Sequence, residues 1–266
     1  MELQQIQDME GFQPKHWDEL TKEDRAKALR YLMYIKEKRD GKIKGRGCAD
    51  GRPQRLYTPK SETSSPMCTL AGLIMTCVID AFERRDVAPA DLPGAFLQTK
   101  MPEDEPDVHV MIEGRMAELL AKILPETYQK YVHKHRGQSM IYCRLKVALY
   151  GTLKAALLFW KKLTLFLVED GFKINPYDWC VANKMVDGKQ LTIVWHVDDL
   201  KISHRDSKVV DIMLNKLDKE YGNVGKMTIR RGPVHNYLGM RIDFCNPGKV
   251  MINMQDYIDE ILANIP

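Results

Sequence analysis

Three aspartates are the residues of this sequence best placed to do chemistry. Asp198 and Asp199 stand side by side in LTIVWHVDDLKIS, residues 191–203, and Asp91 closes the short run VAPAD just before Pro93-Gly94. Thr192, Ile193, Val194, Trp195 and Val197 are β-branched or aromatic, and Leu200 and Ile202 resume the pattern. The stretch therefore reads as strand, tight turn, strand, with both aspartates in the turn. Adjacent carboxylates among buried strands repel each other and lose hydration, so they stay ionised only where a cation or several donors compensate. A divalent metal is one such cation. Solvated turn chemistry is the other reading, since Asp is a common turn residue.

The elements that must position these residues follow from pattern. The first sixteen residues lack periodicity and read as a loose lead-in. TKED at 21–24 supplies an N-cap and an acidic third position, and Ala26, Leu29, Leu32 and Met33 follow at helical spacing, predicting a helix that ends near Asp40-Gly41. GKIKGRGCADGRPQRLYTP, residues 41–59, reads either as a β-ribbon or basic loop that tracks phosphates or as a solvated charged hairpin. Ser65-Pro66 predicts a helix start, continued as a mostly buried helix over 70–82. Val87 to Asp91 is a short strand that delivers its aspartate to a Pro-Gly turn. Amphipathic pieces follow around 116–124 and 128–135, which makes His133 and His135 helical surface residues. A strand over 141–149, a helix over 154–170 ended by Gly171, and a helix capped by Asp206 or Ser207 and closed by Gly222 come next. Strands are expected at 227–230, 237–244 and 250–254, and a last helix near Asp256.

Composition narrows the class. A chain of 266 residues with 44% hydrophobic and 29% charged residues can bury one or two cores, which excludes a wholly disordered or fibrous chain. No run approaches a membrane span, and the acidic, polar start MELQQIQDME is not a secretory signal. Six scattered cysteines without a CxxC argue against a zinc knuckle or disulfide framework and for a reducing, intracellular compartment. The net charge of +4 is mild, but Lys36, Lys38, Arg39, Lys42, Lys44, Arg46, Arg52 and Arg55 crowd one region.

Four segments carry a resemblance. DLPGAFL resembles the D-[VI]-x-x-A-F-L motif, ALYGTLKAALLFW the S-L-Y-G-L-K-Q-A-P-R-x-W motif, WHVDDLKI the [YF]-V-D-D-[LM] motif, and YLGMRI the F-L-G-I-E-[IV] segment of copia-type LTR retrotransposon reverse transcriptases. The resemblance, over roughly 40–262, implies an α+β right-hand polymerase fold with fingers, an antiparallel-sheet palm and a partial thumb. The expected division is a lead-in over 1–20, mainly fingers over 21–90, a catalytic palm with finger insertions over 91–240, and the end of the palm with a truncated thumb over 241–266. It implies that Asp91 and Asp198 are the principal ligands of two Mg²⁺ ions, Mn²⁺ being an alternative, with Asp199 in support. By the same resemblance Lys44, Arg46, Phe96, Tyr150 and Gly151 meet the dNTP, Phe96 as a bulky gate against a 2′-hydroxyl. His196, Tyr237, Leu238 and Gly239 lie near primer and template.

The partners implied are an RNA or DNA template, a DNA or tRNA primer, dNTPs, and the integrase and RNase H regions of one polyprotein, in the cytoplasm or in retrotransposon particles and without a membrane. Departures from the pattern are His196 in place of Tyr or Phe, Pro89 in the strand feeding Asp91, and Lys154-Ala155-Ala156-Leu157 in place of Gln-Ala-Pro-Arg. They leave a second reading open, a catalytically inactive retrotransposon-derived remnant that binds nucleic acid through its basic segment.

Overall fold

The computed structural model describes residues 2–37, 41, 43–263 and 265, apart from the side chains of Glu2, Lys44 and Glu260. The chain divides into two units, residues 1–65 with 96–159 and residues 66–95 with 160–266. No helix among the described residues is long and apolar enough to cross a membrane.

In the first unit, β2 (Leu29–Glu37) and β3 (Ile43–Ala49) form an antiparallel ribbon. This is the β-ribbon reading of the basic segment; Lys38, Arg39 and Lys42 lie outside the described residues. The ribbon extends a sheet of order β1-β7-β5-β2-β3, with β1 (Phe12–Lys15), β5 (His109–Glu113) and β7 (Gln138–Leu145), and β6 (His133–His135) also pairing with β7. Only β2 and β5 run parallel among these pairs. Leu29, Val110, Ile112, Ile141, Cys143 and Leu145 fill one core with Ala117, Leu120 and Ala121 of α4 (Arg115–Ile123) and Tyr128 of α5 (Pro125–Tyr128).

Three expectations are corrected in this unit. The lead-in is not loose. Glu2–Asp8 forms α1, whose Ile6 is buried, and β1 is paired to β7. The helix expected over 21–40 is only α2 (Lys22–Lys27), closed by the Thr21–Asp24 capping box, because after it Leu29 and Tyr31 are buried and Arg30 exposed, a period of two. His133 and His135 are strand residues, and the His133 ring stacks on Trp17 with centroids 4.2 Å apart.

The second unit is built on a sheet of order β12-β4-β11-β10-β9-β8, formed by β4 (Asp86–Asp91), β8 (Lys173–Ile174), β9 (Val181–Val186), β10 (Lys189–His196), β11 (Asp199–His204) and β12 (Thr228–Ile229). Every pairing in it is antiparallel. A second sheet joins β13 (Val234–Tyr237), β14 (Met240–Asp243) and β15 (Met251–Asn253). The strand expected over 237–244 is thus split, by Leu238 and Gly239 at φ 50° and 76°, the two positive values of a tight hairpin turn.

Four helices complete the two units. α3 (Leu70–Glu83) starts at its Thr69 cap rather than at Ser65-Pro66. The division between the units falls along α6 (Ala155–Glu169); α7 (Ser207–Tyr221) packs on β4 and β11, and α8 (Gln255–Ala263) follows β15. Leu73 and Cys77 of α3 share a core with Val181, Val194, Tyr237, Met240 and Ile242.

Candidate active site

The hairpin β10–β11 turns on two residues, Val197 and Asp198. Asp199 is therefore the first residue of β11 and not, as expected, part of the turn. Its backbone is opposite His196 on one side and Asp91 on the other. Register partners in an antiparallel pair share a face, so Asp91 and Asp199 project to the same side of the sheet. Asp198 sits at the tip, where its carbonyl accepts a hydrogen bond from the Leu92 amide at 3.0 Å. Val197 holds φ 57°, a backbone region in which a β-branched residue is strained. Strain of this kind persists only where the surroundings over-determine it, and here the flanking ladder and the Leu92 bond do so.

Electrostatics separates the three carboxylates. Asp91 is exposed, whereas Asp198 and Asp199 are half-buried. Burial pushes the Asp199 carboxyl above the usual carboxylate range, the charges of Asp198 and Asp91 push it further, and His196 and Arg230 partly offset them. Asp91 and Asp199 line a small cavity with Thr228, Arg230, Asn236 and Tyr237. Arg230 is anchored there by a 2.8 Å bond from its guanidinium to the Asn236 carbonyl. Tyr237 is buried, and its hydroxyl donates to the Asp199 carbonyl at 3.0 Å, while the turn residues Leu238 and Gly239 are more open.

Hard carboxylate oxygens that repel one another suit a divalent cation such as Mg²⁺. Among the described residues no three His, Cys, Asp or Glu side chains form a ready-made metal cage.

The other expected site residues gather in the first unit. Arg46 lies over the Tyr150 ring at 4.7 Å, and Phe96 packs on Tyr150 with centroids 4.5 Å apart and on Phe159 at 6.2 Å. The Tyr150 carbonyl accepts from the Ala49 amide at 2.7 Å, and buried Gln54 accepts from the Leu153 amide at 3.0 Å. Gly151 has φ 89°, and a Cβ there would stand 2.0 Å from the Ala49 carbonyl oxygen. Lys44 is in β3, but its side chain lies outside those described.

The family model described as reverse transcriptase (RNA-dependent DNA polymerase) matches residues 16–266. The chain belongs to the reverse transcriptase family. Two solved structures are similar to it. One is telomerase from Candida albicans in complex with a TWJ fragment of telomeric RNA, at 11% identity and TM-score 0.47, covering 92% of this chain and 49% of that one. The other is a foamy viral protease-reverse transcriptase in complex with double-stranded DNA, at 14% identity and TM-score 0.47, covering 98% of this chain and 35% of that one. The chain thus spans half or less of the length of each. No curated protein matches it.

Around the aspartates of this reverse transcriptase chain stand residues that sequence pattern did not single out. Arg230 and Thr228 reach the site because β12 pairs with the end of β4, with Thr228 opposite Asp91. The strand itself is expected at 227–230, but its pairing with β4 is a matter of register that no local pattern carries. Pro89 also finds its place. Its carbonyl accepts from the Arg230 amide at 3.0 Å, so its N–H-less nitrogen faces the β12 side, beyond the paired residues Thr228 and Ile229, and costs no bond to β11.

Proposed function

We propose that the chain carries the fingers and palm of a copia-type reverse transcriptase that copies RNA into DNA by in-line transfer of a nucleotide to a primer 3′-hydroxyl. The observation that carries this reading is the pairing of Asp199 with Asp91, with Asp198 on the adjoining turn. Asp91 and Asp198, the exposed strand end and the turn tip, are the principal ligands of two Mg²⁺ ions. Asp199, half-buried and held towards its neutral form, supports them. When bound, the two ions lower the pKa of the 3′-hydroxyl and neutralise the pyrophosphate leaving group.

The protein's own share is positioning and charge. The three carboxylates supply the metal ligands, and Arg230 supplies positive charge beside them. In the first unit Arg46, with Lys44, receives the triphosphate. Tyr150 and Gly151 shape the loop that meets the nucleotide. Phe96, its ring braced by Tyr150 and Phe159, excludes a 2′-hydroxyl by clash. Leu238 and Gly239 meet the primer end; Tyr237 acts from beneath them through its bond to Asp199. Template, primer and dNTPs are the partners of this activity, and integrase and RNase H regions of one polyprotein are its companions.

Primer extension on an RNA template with Mg²⁺ and dNTPs tests this. The wild type extends, and Asp198→Asn loses activity by ~10³-fold or more. No extension by the wild type, or equal extension by the variant, overturns the enzyme reading in favour of a nucleic-acid-binding remnant. Phe96→Ala is expected to raise rNTP incorporation relative to dNTP by about tenfold or more; unchanged discrimination removes Phe96 as the gate.

A further inference from the structure

Beneath the aspartate hairpin lies a set of charges that the proposed chemistry does not use. Lys201 is two residues from Asp199 on β11, on the same face, yet it is 1% exposed. Its ammonium donates to Asp80 of α3, itself 1% exposed. The second Asp80 oxygen faces the Arg85 guanidinium at 3.7 Å, and Arg85 in turn bonds Thr192 Oγ1 of β10 at 2.9 Å and Glu83 at 3.0 Å. Asp80 lies in the last turn of α3 and Arg85 in the short link from α3 to β4, the strand that ends at Asp91.

The network therefore ties both strands of the aspartate hairpin to α3 and to the link that leads from it into β4, the strand that carries Asp91. Lys201 anchors β11 and Thr192 anchors β10. A buried ion pair is weak support for stability, because desolvation cancels much of its attraction, but removing one partner leaves an uncompensated charge and costs several kcal/mol. Any shift of β11 along β4 would pull the Lys201 ammonium from Asp80 and incur that penalty.

We propose that Lys201, Asp80 and Arg85 form a buried clamp that seats the Val197-Asp198 turn against β4 and holds Asp199 opposite Asp91, making Lys201 and Asp80 positioning residues of the carboxylate site. The proposal rests on the polymerase reading for its catalytic consequence, but not for its structural one. The amide of Leu92, bonded to the Asp198 carbonyl, reports the seat of the turn directly.

The test replaces both partners with apolar residues, Lys201→Met with Asp80→Leu, which leaves neither Lys201 nor Asp80 as a lone buried charge. Hydrogen exchange is measured in the wild type and the double variant. The clamp predicts exchange at Leu92 and residues 198–200 faster by about tenfold, with the amides of α7 at wild-type rates. It also predicts a kcat for primer extension lower by about tenfold, a KM for dNTP within about twofold, and a higher Mg²⁺ midpoint. Exchange at Leu92 and 198–200 within about twofold of the wild type overturns the clamp. Where the double variant does not fold, Asp80→Asn, which keeps the shape and an acceptor but removes the charge, is read in the same exchange experiment. A wild type that extends no primer sinks the polymerase reading while the exchange rates still decide the clamp.

Discussion

Asp199 shows how a carboxylate in the candidate site works against the fold. Its carboxyl is raised first by burial and then by Asp198 and Asp91, so the folded state holds its proton more tightly than the unfolded chain does. Stability from this group is therefore greatest at low pH, falls as pH rises from the ordinary Asp value through the raised one, and stays lower above it. Asp199→Asn removes that loss. In metal-free buffer the variant should melt with the wild type near pH 3 and above it near pH 7. Because the group is only half-buried, solvent screening holds the gain below about 1 kcal/mol, roughly 2–4 °C. Thermal melts across this pH range check it, and an Asn variant that melts at or below the wild type at pH 7 refutes the repulsion. Added Mg²⁺ should narrow the difference by stabilising the wild type.

Turns decide where the elements present their chemistry. Asp187-Gly188, at φ 48° and 70°, is a readable hairpin signal, whereas Val197-Asp198 and Leu238-Gly239 place a branched residue at positive φ and resemble no favoured turn sequence. The segment that carries Tyr150 depends on Gly151 for a different reason, the backbone of Ala49 pressed against it. Gly151→Ala should cost ~3 kcal/mol or more, from positive φ together with a clash that backbone atoms cannot relieve. Gly137→Ala is the control. It has φ 80° but open space around the added carbon, so it should cost only about 1 kcal/mol. Denaturation midpoints compare the two, and equal losses would mean that the close approach to Ala49 contributes nothing.

Across the whole molecule the chain leaves each unit and returns to it, the first at residues 96–159 and the second at 160–266. The cysteines are free throughout, and burial pushes the Cys77 and Cys180 thiols up, to about 12 for Cys180, as suits residues that pack rather than react. Much of this was legible in the order of residues. A continuous run of β-branched and aromatic side chains before Asp198, a Gly-closed helix after Asp206 and the strand ending at Asp91 are local signals of backbone propensity and burial, and they needed no partner to be read. The sequence alone also determined the family, through three aspartates in two of the four matching motifs. Tertiary structure decided the rest. Leu29 to Glu37 reads as helix until β5 and β3 offer it ladders, because a period of two gains stability only beside other strands. Likewise, that Asp199 rather than Asp198 faces Asp91, and that Lys201 is buried against Asp80, depends on strand register. Asp199 and Asp91 are far apart in the chain and Lys201 and Asp80 are 121 positions apart, and no local pattern carries such pairings.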